Sequence, residues 1–274
     1  MLSLITGITV RIFSNSYLNV FQKILTNRGN YSSVINFYTY LGLLLVGFII
    51  CPNPIFTTQM LSTILIMGFL GALGNYFIIK ALSCGELSAL APINSYKPIV
   101  ALCFGIFLLN EIPTLQEILA ILLIVIGTFV LGSHKIFYAK ATLYRFLALI
   151  FSGTEAIFIK KVILLSNITS AFLYWALAGF LFSLIFLLIS KRKAKINKSD
   201  IKYQFALIAM VAIMQYSTNY VFSKINVAHA LALFQLSTIL SVFLGINIFK
   251  EKDLIKKLVA TIIMVAGAVI LILS

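Results

Sequence analysis

Hydrophobic residues fill about ten long stretches of the chain, and short polar connections separate them. A helix needs about 20 apolar residues to cross the hydrocarbon core of a bilayer, so each stretch predicts one transmembrane helix. The sequence therefore predicts an all-α integral membrane protein. The predicted spans are Leu2–Leu25, Ser33–Cys51, Met60–Leu82, Leu87–Leu109, Thr114–Gly132, Ala141–Leu164, Ser170–Ser190, Gln204–Ser223, Ala228–Phe249 and Leu254–Leu273.

The composition excludes a water-soluble fold. Of the 274 residues, 61% are hydrophobic and only 10% are charged, whereas soluble domains average roughly 25% charged residues. The net charge of +14 comes mostly from cations clustered between apolar runs, which is typical of a membrane face and predicts no nucleic-acid partner. Cys51, Cys84 and Cys103 lie far apart without a CxxC pair, so neither a disulfide, a metal nor another cofactor is predicted.

The distribution of cations predicts which side each connection occupies. Residues 190–202, after the seventh span, contain six Lys and Arg residues, and residues 250–257, after the ninth span, contain four lysines. Connections after even-numbered spans carry fewer cations. Because cytoplasmic connections are rich in Lys and Arg, ten spans would place both termini outside the cytoplasm.

An internal repeat relates the two parts of the chain. With a shift of 140 residues, Glu111 matches Glu251 and Gly127 matches Gly267. An Asn-Tyr pair also recurs at the corresponding position of the second copy. The alternative is a chance match between two hydrophobic helices. The recurring pairs are Asn75-Tyr76 and Asn219-Tyr220.

The repeat predicts two units of five spans, residues 1–136 and residues 137–274. An odd number of spans makes the second unit enter the membrane from the opposite side, which gives inverted repeats. Such repeats are typical of secondary transporters, because two related halves can expose a site at the membrane midplane to alternate sides.

In both of these units, and so over essentially its whole length, the chain resembles the EamA-type half of the drug/metabolite transporter superfamily. The resemblance rests on loose motifs whose order and duplication are specific. The motifs are Ala91-Pro92 to Lys97-Pro98, Gly105, Asn110-Glu111 and Gly127, the weaker copy around Gly245, Glu251 and Gly267, and the first-helix segments Ser14-Asn15-Ser16 to Lys23 and Ser152-Gly153-Thr154 to Lys160.

The resemblance implies a ten-helix secondary carrier in the inner membrane. Its central cavity would be lined mainly by the first, third and fourth helices of each half, while the fifth helices support packing or homodimer contacts. Carriers of this superfamily export amino acids and other metabolites or exchange phosphorylated and nucleotide-linked solutes. The resemblance also implies cytoplasmic termini, in disagreement with the count of cations.

Three ionisable residues stand out inside the predicted spans: Arg11, Lys97 and Glu155. Each costs roughly 2.5 to 3.5 kcal/mol at a helix centre on insertion scales, so a fold retains such groups for pairing, hydration or function. Two cations and one acid suit a zwitterionic or anionic solute. Glu155 could neutralise a cation, bind an amine or carry a coupling proton, and a purely structural counter-ion is the alternative.

Arg11 begins a polar stripe on the first span, since Arg11, Asn15, Asn19 and Gln22 recur at helical spacing. The stripe is either a wall facing the solute, with Arg11 binding an anion, or a hydrogen-bonded seam between helices. Lys97 lies before Pro98, where a proline kink leaves the carbonyl of Asn94 free. Lys97 and Asn94 are therefore site candidates, and a structural kink with an ion pair is the alternative.

Five further residues form a polar group on the third and eighth spans, and hydrogen bonding between helices is the alternative to a role in solute binding. At the helix ends, Lys23 and Lys160 are expected to extend towards the lipid headgroups. The five residues are Asn75, Tyr76, Gln215, Asn219 and Tyr220.

These patterns predict a transporter of a small-molecule solute rather than an enzyme. The chain has no HExxH, no GxSxG and no pair of aspartates within a span, so no nucleophile or metal site is assigned. A small-multidrug-type cation exporter is a weaker alternative, because this chain has Asn15 where those carriers place an essential glutamate. A membrane-embedded enzyme and a channel or assembly subunit are alternatives of another class.

Overall fold

The structure is a computed structural model that describes residues 2–97, 100, 114–131, 140–225 and 227–273. All regular secondary structure in those ranges is helical, which confirms the predicted all-α membrane fold. Three short 3-10 turns interrupt the α-helices, at Thr58–Met60, Ala91–Tyr96 and Lys198–Asp200. The α-helices are α1 Leu2–Asn27, α2 Ser32–Ile50, α3 Leu61–Cys84, α4 Leu87–Leu90, α5 Leu115–Leu131, α6 Lys140–Leu165, α7 Ile168–Ile189, α8 Ile201–Lys224, α9 Val227–Phe234, α10 Leu236–Phe249 and α11 Leu254–Leu273.

Length and hydropathy identify the most apolar spans directly. Among the described residues, four segments are long and apolar enough to cross a bilayer: Ser32–Ile50, Thr58–Cys84, Ile168–Ile189 and Lys198–Lys224. The helices α1 and α6 are 26 residues each but carry charged residues along their length. The chain is therefore a multi-pass membrane protein in which the two longest helices carry charged residues.

The helices pack in a reciprocal pattern. We call α1–α5 the first half and α6–α11 the second half. The first helix of each half packs on the third long helix of the other, as α1 on α8 and α6 on α3. The second helices pair as α2 with α7, and the last helices pair as α5 with α11. Two copies related by a pseudo-two-fold axis would produce this exchange of partners.

Repeated glycines allow the last helices to approach closely. A Cβ atom at Gly127 of α5 would lie 3.0 Å from the carbonyl oxygen of Ala260, and one at Gly267 of α11 would lie 2.8 Å from that of Ala120. Small residues let helix backbones pack tightly in lipid, where no hydrophobic effect drives helices together. The sequence repeat at these positions thus corresponds to a contact made twice.

The predicted fourth and ninth spans are both interrupted. The fourth begins as α4, continues as a 3-10 turn and is described only to residue 97 and at residue 100. Pro92 lacks the N–H that would bond the carbonyl of Ser88, so an α-helix cannot run unbroken through this point. The ninth divides into α9 and α10 at Gln235, whose side-chain amide donates to the carbonyl of Leu231 at 2.9 Å.

Lys23 and Lys160 bind helix ends within the protein instead of extending to the headgroups. Lys23 Nζ donates to the carbonyls of Leu82 and Gly85, at 2.7 and 2.6 Å, where α3 ends. Lys160 Nζ donates to the carbonyl of Phe222, near the end of α8. Cations at a helix C-terminus satisfy free carbonyls and complement the helix dipole, so each lysine fixes the first helix of its half to the third.

Candidate functional site

A polar cavity of about 120 Å³ lies at the centre of the bundle, between the two halves. Its walls come mainly from the central turns of α1, α3, α6 and α8 and from the two interrupted spans. A cavity of this size has room for several water molecules or part of a small solute. Its polar lining consists of Arg11, Asn15, Asn19, Tyr40, Asn75, Asn94, Lys97, Arg145, Ser152, Glu155, Trp175, Gln215, Thr218, Gln235 and Ser237.

Arg11 is held in the cavity wall with part of its guanidinium group free. Its Nε donates to the Thr218 hydroxyl at 2.8 Å, and its guanidinium carbon lies 4.6 Å from the centre of the Phe234 ring. The buried Nη1 atom has no hydrogen-bond partner among the described residues. Because an unsatisfied buried donor is costly, this atom favours an anion or a water molecule in the cavity.

Glu155 is buried on α6 and fixed by an aromatic partner. Trp175 Nε1 donates to Glu155 Oε1 at 2.5 Å, and the Trp175 ring lies 5.1 Å from the Tyr40 ring. Gly71 of α3 makes room for this pair, since a Cβ atom there would lie 3.1 Å from the Glu155 carboxyl carbon and 3.0 Å from Trp175 Nε1. Three helices thereby set the orientation of one carboxylate.

Lys97 follows the 3-10 turn of the fourth span and borders the same cavity. Lys97 shares this cavity with Glu155, Arg11 and Arg145. Within the described ranges, no ion pair of 4.0 Å or less joins Lys97 to Glu155. The opposite charges thus face the cavity without neutralising each other by direct contact. The predicted kink at Pro98 lies outside the described residues.

Arg145 also lines the cavity, and the sequence analysis did not identify it. This arginine of α6 is buried, and its Nε donates to the carbonyl of Leu90 at 3.2 Å, where α4 ends. The charge falls inside the predicted span Ala141–Leu164, so the same criterion that selected Arg11 could have found it. Among the described residues, three cations, including Arg145, and one acid border the cavity, a formal charge of +2 when all four are ionised.

Several predicted amides line the cavity and also bind neighbouring helices. Asn15 Nδ2 donates to the Ser237 hydroxyl at 2.9 Å. Asn75 accepts a hydrogen bond from Gln22 at 2.9 Å and donates one to Asn36 at 2.7 Å. The polar stripe of α1 is therefore both a seam between helices and a cavity wall. The other predicted amides at the cavity are Asn19, Asn94 and Gln215.

Three predicted residues, Tyr76, Asn219 and Tyr220, are not among the lining residues of the cavity. Asn219 is fully buried and donates to the carbonyl of Ile168 at 3.2 Å, so it joins α8 to the start of α7. Tyr76 packs against Phe186 of α7, with ring centres 6.2 Å apart. The hydrogen bond of Asn219 fits the alternative of hydrogen bonding between helices.

Tyr40 and Ser152 add further free polar groups to the cavity wall. The Tyr40 hydroxyl and the Ser152 hydroxyl are both buried, and neither has a hydrogen-bond partner within the described part of the chain. Buried polar atoms are almost always paired, so a cluster of free ones beside a void indicates a place for a polar ligand or water. The described residues contain no group of three His, Cys, Asp or Glu side chains that could hold a metal ion.

The comparisons with known proteins concern the family and the fold. The model of the EamA-like transporter family matches residues 2–133 and again residues 139–273. A protein of Methanocaldococcus jannaschii, called Uncharacterized protein MJ1333.1, is 31% identical over 96 residues, which cover 32% of this chain and 70% of that protein. A solved structure described as "Crystal structure of protein" has a TM-score of 0.70 at 15% identity and covers 98% of this chain and 96% of its own. At that identity, the likeness concerns the fold alone.

Proposed function

The chain belongs to the EamA-like transporter family, and from this premise we propose that it is a secondary active transporter of a small zwitterionic or anionic solute. It works in the inner membrane by alternating access. Amino acids, organic acids and nucleotide-linked compounds are the solute classes that fit. The observation that carries the proposal is the central cavity, where Glu155 is the one acid among the described lining residues and faces three cations, Arg11, Lys97 and Arg145.

The excess of cations favours a negatively charged group in the cavity. A desolvated cation without a partner is unstable, and a bound carboxylate or phosphate would supply that partner. The free Nη1 atom of Arg11 is a ready donor to such a group. In a zwitterionic solute, the amine would bind Glu155 while the anionic end binds the cations.

Contacts between the halves at one end of the bundle support alternating access. Arg28, after α1, binds Asp200, before α8, at 3.0 Å. Glu86, after α3, forms an ion pair with the buried Lys257 of α11, and Glu251 accepts hydrogen bonds from the first amides of α4 at 2.8 Å. These contacts would close that end, and they would have to break when the cavity opens there.

Counterflow in proteoliposomes tests the proposal. Vesicles containing the purified protein are loaded with one solute class at a time, and exchange of the radiolabelled solute is followed. We expect saturable exchange for at least one anionic or zwitterionic class. Arg11→Gln should lower kcat/KM at least about 30-fold, as expected when one partner of a buried charged contact is removed. Lys252→Gln, at an exposed cation far from the cavity, serves as the matched control.

Other outcomes of this experiment would contradict the proposal. Flux without saturation would indicate a channel, and chemical conversion of a solute would indicate a membrane-embedded enzyme. Exchange of organic cations alone would indicate a small-multidrug-type exporter that uses Glu155. Equal kinetics for the wild type and Arg11→Gln would remove Arg11 from the site.

A further inference from the structure

A second pocket, of about 380 Å³, opens between the turn that joins α1 to α2 and the connection that joins α7 to α8. It lies at the end of the bundle where α1 and α7 end, far from the mid-depth residues of the central cavity. Of the described residues that line it, four are cations and none is acidic. The cations are Lys191, Arg192, Lys193 and Lys195, and we call this site the basic pocket.

The basic pocket is held together by contacts between the two halves. The guanidinium carbon of Arg192 lies 4.2 Å from the centre of the Tyr31 ring. Behind it, the Tyr38 hydroxyl donates to the carbonyl of Ala194 at 3.0 Å. These contacts fix the connection against the first half, so less side-chain entropy is lost when a ligand binds there.

The four cations of the basic pocket have no acidic partner among the described residues. Asp200, the acid of the same connection, is only 1% exposed, and Arg28 and Asn30 bind its two oxygens at 3.0 and 2.9 Å. That carboxylate is therefore already neutralised inside the protein. The charge of the pocket remains available to an external anion.

The surface next to the basic pocket faces lipid. Ile185, Leu188 and Ile189, in the last turns of α7, are 45%, 68% and 72% exposed, and in a bilayer such side chains contact acyl chains. The next residues in the chain are the cations of the pocket. A phospholipid that lies along α7 would therefore place its headgroup at this pocket.

We propose that the basic pocket binds the phosphate of an anionic phospholipid headgroup from the leaflet at this end of the bundle. Clusters of cations beside a membrane span attract anionic lipids, and a pocket lined by lysines and an arginine suits a phosphate group. The guanidinium group of Arg192, stacked on Tyr31, donates to the phosphate oxygens. This site is separate from the solute cavity and does not depend on the identity of the solute.

Native mass spectrometry of the delipidated protein in neutral detergent tests the proposal. Phosphatidylglycerol and phosphatidylcholine are added at equal concentrations, and the retained lipid is quantified. We expect the wild type to retain phosphatidylglycerol at least tenfold better than phosphatidylcholine. The double variant Arg192→Gln/Lys193→Gln should lose about 25-fold in affinity, since each cation near an anionic surface contributes about fivefold. Lys252→Gln/Lys256→Gln removes two exposed cations elsewhere at the same end and is the matched control.

The outcomes separate a defined site from diffuse charge. Loss of preference in the pocket variant with retention in the control supports the site. Equal loss in both variants would show that surface charge alone attracts the lipid, and no preference in the wild type would also overturn the proposal. Soluble glycerol phosphate that raises the melting temperature as much as phosphatidylglycerol would assign the pocket to a free phosphate compound instead. Size-exclusion profiles of both variants show whether they fold.

Discussion

Replacing Gly71 by alanine tests whether the position of the Glu155 carboxylate sets solute binding. A methyl group at this position would contact Glu155 Oε1 and would lie 3.0 Å from Trp175 Nε1. The carboxylate is the end of a flexible side chain, so it can move, but it would then lose its hydrogen bond to Trp175. The substitution therefore displaces the only acid among the described cavity-lining residues without removing its charge.

The expected loss of solute affinity can be worked out from the hydrogen bond between Trp175 and Glu155. A hydrogen bond to a charged group contributes about 1.5 to 3 kcal/mol, which corresponds to roughly 10- to 150-fold in an equilibrium constant. We expect a loss of this size in solute affinity if the solute binds the carboxylate where Trp175 holds it, because binding must then restore that position against the added methyl group. Gly153→Ala is the matched control, because the nearest atom to a Cβ there, on the Val100 side chain, would be 3.8 Å away. Both variants gain the same helix propensity, so the comparison cancels that effect.

The chain itself supplies the assay, because Trp175 is its only tryptophan. Its fluorescence reports on the hydrogen bond to Glu155 and on solute entering the cavity. We expect Gly71→Ala to shift the emission maximum and weaken solute-induced quenching, while Gly153→Ala resembles the wild type. Identical spectra and identical transport in the two variants would refute the assigned role of the Glu155–Trp175 pair.

Three further predictions follow from the cavity and the helix contacts. Lys97→Gln should raise the KM for anionic solutes at least tenfold while membrane insertion is unchanged, which uptake and size-exclusion chromatography together measure; unchanged kinetics would place Lys97 outside the site. If Glu155 carries a coupling proton, Glu155→Gln should uncouple accumulation from a pH gradient but permit solute exchange, and full gradient-driven accumulation would exclude that role. Gly267→Ala, whose Cβ would lie 2.8 Å from the Ala120 carbonyl, should destabilise the protein by about 1 to 3 kcal/mol in thermal unfolding. Gly153→Ala should not, because its nearest contact would be 3.8 Å away, and equal melting temperatures would contradict the close packing.

Much of the fold follows from the hydrophobic pattern, because a membrane restricts a chain of long apolar stretches to helices. The interruptions were harder to predict. The sequence analysis placed a kink only at Pro98, whereas the described residues show a 3-10 turn after Ala91 and a break at Gln235. Gln235 is an ordinary helix residue, and its position beside the cavity explains the break better than its propensity does, since irregular backbone survives at this depth where it lines a cavity.

The candidate site was predictable only in part. Helical spacing placed Arg11 and Asn15 on one face of the first helix, and both line the cavity. The internal repeat, in contrast, selected Tyr76 and Tyr220, and neither lines the cavity. Repetition marks equivalent positions in the two halves, and residues that serve packing repeat as well. Arg145 was not selected although it lies in a predicted span.

By itself, the sequence determined that the protein is helical, spans a membrane, contains an internal repeat and retains charged residues at mid-depth. Periodicity fixes which residues share a face of one helix, because that face depends only on the helical repeat. Only the tertiary structure decided what each face meets. Arg11 binds Thr218, 207 residues away, and Lys23 binds the end of a helix that begins 38 residues later. Such partners depend on how the two halves pack against each other, which the pattern of a single helix does not encode.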